Sequence, residues 1–301
     1  MIKKIAAILL LCSFTSSTYA AKFWFQDNAR LSQDTLVIEG KIEAGDYEAL
    51  RDVISNFGPL IKDVYLYSPG GDAIEAMKMG DLLRNLYLTT VSPNFSLTEY
   101  QRDRNKISPA CDRSYEPGPK DQSNCTCDSA CFLIWLGGFE RKGVYVGVHR
   151  PVFDTEFYSS ISPSDAEALY ESMIASMEEY LQKYKVPDEI IEQMLNTPSH
   201  EIHGIWAEQL GGYPAFYDER LTAICGVTTN TGPIRLLELK REEGRITAEE
   251  EDELEMLQSN IANNSKIEQC RFEQFVIKDR FQAFEGYFGA GYIENWQEHM
   301  K

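Results

Sequence analysis

The sequence predicts an α/β layer fold with a helical C-terminal extension. Lys62 to Tyr67 reads as a strand, Ser68-Pro69-Gly70-Gly71 breaks it, and Asp72 to Leu86 carries Ile74, Met77, Leu82, Leu83 and Leu86 at helical spacing. Strand, glycine turn and helix in that order form the βαβ signature of such folds. Beyond about residue 220 the composition shifts, and Leu236 to Met256 becomes a heavily charged, helical stretch. The 301 residues, 43% hydrophobic and 12% aromatic, suit one large domain or a medium domain with an appendage, and they make disorder a poor description.

The elements follow in order. Residues 1–20 combine Lys3 and Lys4, the apolar run Ile5 to Leu11 and the small-residue stretch ending Ser17-Thr18-Tyr19-Ala20, the three-part pattern of a secretory signal peptide cleaved after Ala20. Its apolar core is too short to span a bilayer, and no later segment approaches eighteen uninterrupted apolar residues. The chain is therefore expected in the periplasm or outside the cell, without a membrane span once mature. Residues 35–42 read as a strand and 46–56 as a short amphipathic helix. Residues 92–124 are rich in Pro, Ser, Asn, Asp and Arg and read as an inserted surface loop. Cys131 to Leu136 is a buried helix start, and Gly143 to His149 is a strand that ends on a histidine. A long helix is expected over 164–185 with Ser162 or Ser164 as N-cap, then a shorter one over 188–195. Phe272, Phe275, Phe281, Phe284, Tyr287 and Phe288 recur at spacings that fit the apolar face of a helix near the C-terminus.

Charge and cysteine content narrow the class. With 29 Lys and Arg against 47 Asp and Glu the formal charge is −18, and loss of the first twenty residues takes it to −20. Such a surface repels phosphate backbones, so no nucleic-acid partner is expected. Apart from Cys12, the cysteines are Cys111, Cys125, Cys127, Cys131, Cys225 and Cys270, an even set that favours disulfides in an oxidising compartment. Four of them cluster within 21 residues, but Cys125-Thr126-Cys127 is too tight for the usual zinc pair, so no metal is expected. Cys225 and Cys270 are left to bridge each other. Connectivity among the other four stays open, and a bridge from Cys111 or Cys125 to Cys127 or Cys131 would hold the insert against the chain around Ser129.

Two stretches carry chemistry: Tyr67 to Asp72 around the glycine turn, and Asp128-Ser129-Ala130-Cys131 before an apolar helix, with His149 twenty residues on. A serine needs a neighbouring base to become a nucleophile, and histidine suits that role near neutrality. Amides without side-chain bulk, as at Gly70 and Gly71, can approach a developing oxyanion. Each piece alone has a plainer reading, a tight turn for Gly70-Gly71 and a helix cap for Ser129. Together, the order strand–Ser-Pro-Gly-Gly–helix, small–Ser-Ala, strand–His-x-Pro resembles the proteolytic subunit of the Clp protease and the wider ClpP/crotonase superfamily, over residues 35–215. The resemblance implies a spiral of repeated ββα units spanning 21–220, with 221–301 as an acidic, mostly helical extension. It further implies Ser129 as nucleophile, His149 as base, an oxyanion hole from Gly70, Gly71 and Ala130, a polypeptide substrate, assembly into homo-oligomers and no cofactor.

This chain departs from the family in two places. The insert has no counterpart there. The family's third catalytic residue, an aspartate about fifty positions after the histidine, is missing, and the neighbourhood offers Ser199, His200 and Glu201 instead. The sequence therefore supports a secreted or periplasmic serine peptidase, with a ClpP-fold binding or scaffold protein as the alternative.

Overall fold

The computed structural model describes residues 20–26, 35–61, 63–93, 120–121, 125–152, 161–212, 215–227 and 234–299. Most of the predicted signal segment, Cys111 and nearly all of the 92–124 insert lie outside them. The chain is α/β. One five-stranded sheet runs in the order β1 (Lys22–Gln26), β2 (Thr35–Glu39), β3 (Asp63–Tyr67), β4 (Thr89–Val91) and β5 (Arg141–Lys142). β1 and β2 are antiparallel, and β2 through β5 are parallel. Helix α1 (Asp46–Phe57) crosses from β2 to β3, and α2 (Ala73–Asn85) from β3 to β4. Helix α3 (Ala130–Gly137) precedes β5, and β6 (Tyr145–Val148) pairs antiparallel with β7 (His203–Trp206), the two separated in the chain by α4 (Pro163–Lys183) and α5 (Asp188–Asn196).

Sequence explains these elements locally. All five residues of β2 are buried, the continuous apolar pattern of a strand covered on both faces. Helix α2 starts at Asp72, whose side chain accepts the Glu75 N–H, and α4 starts at Ser162, whose hydroxyl accepts the Asp165 N–H, so Ser162 is the cap. Every residue of α3 is buried, so this helix is pure core. It packs against α2 at Gly80 and Gly137, where a methyl group on Gly137 would sit 2.3 Å from the Gly80 Cα. The strand expected over 35–42 is shorter than its apolar pattern: it ends at Glu39, and Ile42 instead pairs with Gly71 in an isolated parallel bridge.

The C-terminal extension is helical, as expected, but it is not a detached appendage. Helices α6 (Ala215–Cys225), α7 (Ile234–Glu242) and α8 (Ala248–Phe272) are followed by a π-helical segment, Glu273–Arg280, then α9 (Phe281–Phe288) and α10 (Tyr292–His299). Cys225 and Cys270 are bridged, as the sequence predicts, which ties α8 to α6. Phe284 belongs to the main core, and Arg280, only 2% exposed, donates from Nε and Nη2 to the Tyr87 carbonyl at 3.0 and 2.7 Å and from Nη1 to Ile61 O at 2.6 Å. Its guanidinium also lies over the Phe275 ring. Arg280→Met leaves those carbonyls without their donor and should lower the unfolding free energy by roughly 2–4 kcal/mol in urea titration. A loss below about 0.5 kcal/mol would show that the extension is anchored by other contacts.

Candidate active site

Among the described residues, Ser129, Tyr87 and Lys185 are the non-glycine residues with positive φ. Ser129 precedes α3 with φ 58° and ψ −123°, and its side chain makes no capping hydrogen bond. The side-chain caps of α2, α4 and α8, at Asp72, Ser162 and Thr247, all have negative φ. Ser129 thus stands at the N-cap position of α3 without its hydroxyl capping the helix. A non-glycine residue in this region costs on the order of 1–3 kcal/mol and persists only where its surroundings over-determine it.

Those surroundings can be named. The Ser129 N–H donates to Gly147 O at 2.8 Å, and the Gly147 N–H donates to Cys127 O at 2.9 Å, so β6 pairs with the limb that enters the turn. Parallel bridges Ser68↔Cys127 and Asp128↔Gly147 carry the same limb between the glycine turn and β6. On the exit side, Cys131 N–H donates to Asp128 O and Phe132 N–H to Ser129 O, closing the first turn of α3. Cys127 and Cys131 then bridge each other across Ser129, with Cα atoms 5.1 Å apart and both side chains fully buried. A bridge from the insert to either of these cysteines, left open by the sequence, is excluded by this pairing. Cys125 is disulfide-bonded as well.

The glycine turn closes over the serine from the other side. Gly70 has φ 102°, and a Cβ there would lie 2.5 Å from Ser129 Cβ and 3.0 Å from Ala130 N, so only glycine fits. Among the described residues, the N–H groups of Ala130 and Gly71 meet no acceptor, whereas the Gly70 N–H donates to Ser68 Oγ at 3.1 Å. Of the three amides proposed for an oxyanion hole, Gly70 is thus engaged and Ala130 and Gly71 are free.

The register brings His149 to the same edge, two residues beyond Gly147, whose carbonyl holds Ser129. No hydrogen bond joins Ser129 Oγ to His149 among the described residues. His149 Nδ1 lies 2.8 Å from Arg150 O. A carbonyl can only accept, so Nδ1 carries the proton and, in the neutral ring, Nε2 keeps its lone pair. The three residues weighed for the third catalytic place do not supply it. Arg150 N–H donates to Thr197 O, which brings their segment alongside, but the exposed His200 and Glu201 side chains pair with each other at 3.7 Å and Glu201 N–H donates to Pro198 O. No hydrogen bond from Ser199 reaches His149 among the described residues.

Asp128 is the residue that sequence reading passed over. Its carboxyl lies where a Gly147 side chain would be, 2.0 Å from an ideal Cβ there, with Ile202 Cγ2 against the same point. Its Oδ1 is shut off from solvent and has no hydrogen-bond partner among the described residues. Burial pushes this carboxyl up to about 7, against a smaller opposing effect of the Thr126 hydroxyl. An aspartate beside a serine, with a glycine on the facing strand, was the only signal available.

Other buried acids hold the loops around the site. Glu39 accepts the N–H groups of Lys120 and Asp121 at 3.0 and 2.7 Å and the Trp24 indole N–H at 3.2 Å, which anchors the end of the insert at the tip of β2. Among the described residues, no cluster of His, Cys, Asp or Glu is disposed to hold a metal ion. No family model matches the chain, and a search of curated proteins finds no significant match.

The Asp128 titration has a definite sign. The folded protein keeps that proton up to about pH 7, while an unfolded aspartate releases it near 3.9. On this account stability is greatest below pH 4, falls as pH rises to 7 and is level above. Asp128→Asn removes the titration, so its stability relative to the parent chain should rise across that window and exceed it by roughly 2–4 kcal/mol at pH 8. Urea unfolding at pH 4.5 and 8 decides this; equal differences at both would remove Asp128 from the pH response.

Proposed function

We propose that the α/β body is a ClpP-like spiral domain and that the chain is a serine peptidase working outside the cytoplasm. The observation that carries this reading is the Ser129 backbone, strained, uncapped and wedged beneath Gly70 at the start of α3. A serine held in such a conformation presents its hydroxyl rather than spending it on the helix. The disulfides accord with an oxidising compartment, and among the described residues no helix is long and apolar enough to cross a membrane.

In the proposed reaction Ser129 Oγ attacks the acyl carbon of a peptide bond while Nε2 of His149 takes the hydroxyl proton. The oxyanion accepts hydrogen bonds from Ala130 N–H and the glycine-turn amide, and α3 directs the positive end of its dipole at the same charge. His149 returns the proton to the departing amine. Water then cleaves the acyl-enzyme, with the same imidazole as base. The Arg150 carbonyl fixes the imidazole tautomer, but being neutral it stabilises the imidazolium less than a carboxylate would. Turnover is accordingly slow.

One observation favours the alternative, a binding protein on the same scaffold: among the described residues no carboxylate bonds to His149, and Ser129 Oγ does not reach it. Fluorophosphonate labelling separates the two. Ser129 should be modified, Ser129→Ala should not label, and His149→Asn should label roughly 10²–10⁴-fold more slowly. Cys127→Ala/Cys131→Ala, which frees both limbs of the turn, should slow labelling at least about tenfold. Equal labelling of the parent chain and Ser129→Ala would end the peptidase reading and leave the scaffold one.

A further inference from the structure

Ala21, the residue that would begin the chain after the expected cleavage, is buried beside an acid. Its main-chain nitrogen lies 3.2 Å from Asp46 Oδ2, and Asp46, 3% exposed, also accepts the Glu43 N–H at 2.8 Å on that oxygen. The charged groups around Asp46 are of the wrong sign. Glu43 lies in its own loop and Glu75 faces it from α2. Glu75 accepts the N–H groups of Gly45 and Tyr47 and pairs with Lys78, while Lys41 pairs with Glu43. Among the described residues no cation meets Asp46, and burial pushes its carboxyl up. A buried, cation-free carboxylate between two acids is a costly arrangement.

We infer that cleavage after Ala20 supplies the missing cation, and that the resulting ion pair between the Ala21 α-ammonium and Asp46 orders the active-site turn. In the cleavage step water adds across the Ala20–Ala21 peptide bond, a signal peptidase being the catalyst. Ala20 leaves with a carboxylate, and the Ala21 nitrogen takes up protons to become an ammonium where it already lies. The same 3.2 Å contact then changes from an amide hydrogen bond to a charge-assisted one.

A short path leads from Asp46 to the glycine turn. Oδ2 holds Glu43 N–H; next to it Ile42 N–H donates to Gly70 O at 2.9 Å, and Ile42 O accepts Asp72 N–H at 2.9 Å. A Cβ on Gly71 would be 2.1 Å from Ile42 O, so the two segments lie in direct contact. A loop ordered at Glu43 therefore sets the backbone that flanks Gly70 and Gly71. Processing would complete the site only once the leader has gone. The consequence for activity rests on the peptidase reading of Ser129, whereas the ion pair does not.

The test uses the otherwise full chain with three amino termini: Ala21 free, Ala21 acetylated, and an uncleavable extension through Ala20. Acetylation keeps an N–H on the nitrogen but removes its charge. Mass spectrometry of secreted protein should first give Ala21 as the amino terminus; any other start overturns the inference. At pH 7 the free-terminus form should melt at least about 3 °C above the other two. The gap should close as pH rises past the ammonium titration, because an amine whose folded-state pKa is raised by pairing loses its contribution there. Asp46→Asn should erase the difference between free and acetylated forms, which a general effect of the extension would not do. Fluorophosphonate labelling of Ser129 should be at least tenfold faster in the free form. Identical melting of free and acetylated chains at pH 7 overturns the ion pair. Identical labelling despite a melting difference overturns its link to the site. If no form labels at all, the peptidase reading falls and takes that link with it, and melting alone then decides the ion pair.

Discussion

The backbone of one residue organises this molecule. Ser129 holds a positive φ because the limbs on either side of it are fixed by separate forces: pairing with β6 on entry, and on exit a helix in which every residue is buried. Neither limb can relax alone. The Cys127–Cys131 bridge joins them where they are closest, and Gly70 fills the space above. Moving Ser129 into an ordinary conformation would require α3 to rotate in the core, where its last residue, Gly137, touches Gly80 of α2. The hydroxyl's position is thus a consequence of helix packing, and that is how a strained conformation survives.

Around this turn the protein uses buried carboxylates where other folds would use longer strands or basic side chains. Glu39 gathers the end of the insert, Glu75 caps the start of α1 from a neighbouring helix, and Asp46 holds Ala21 and Glu43. Each accepts at least two N–H groups, the arrangement that lets a carboxylate remain in a low-dielectric site. Asp128 is the exception: its Oδ1 meets no partner among the described residues, and burial pushes its carboxyl up to about 7. An acidic chain can afford such groups only because backbone amides, rather than lysines, receive most of them.

Much of this was legible in the sequence, for identifiable reasons. The glycine break announced β3, helical spacing announced α2, an unbroken apolar run announced α3 and an N-cap serine announced α4, while the cysteine count announced Cys225–Cys270. Strand β4 is three residues long, too short for any period to register, and β7 buries only Ile205 of its four residues, so it carries no apolar run. The pairing of Cys127 with Cys131 depends on Ser129 bending the chain back between them, which a list of cysteines cannot reveal. The aromatic run near the C-terminus puts Phe275 and Phe284 into the core from helical segments, yet its anchor, Arg280, is a charged residue that bonds the carbonyls of Tyr87 and Ile61, some two hundred positions upstream. The candidate serine, histidine and glycines could be named from their order. What could not be seen was which amides are free.

The empty third place beside His149 also has a physical logic. Glu201, the one carboxylate within 199–201, is exposed and pairs with His200 rather than with His149. The neutral Arg150 carbonyl accepts from His149 Nδ1 in its stead and fixes the histidine tautomer without adding charge. The arrangement gives up stabilisation of an imidazolium and keeps the orientation. It follows that any catalysis here must lean on the amides and the α3 dipole rather than on the base, and those are the parts that the Ser129 turn holds most firmly in place.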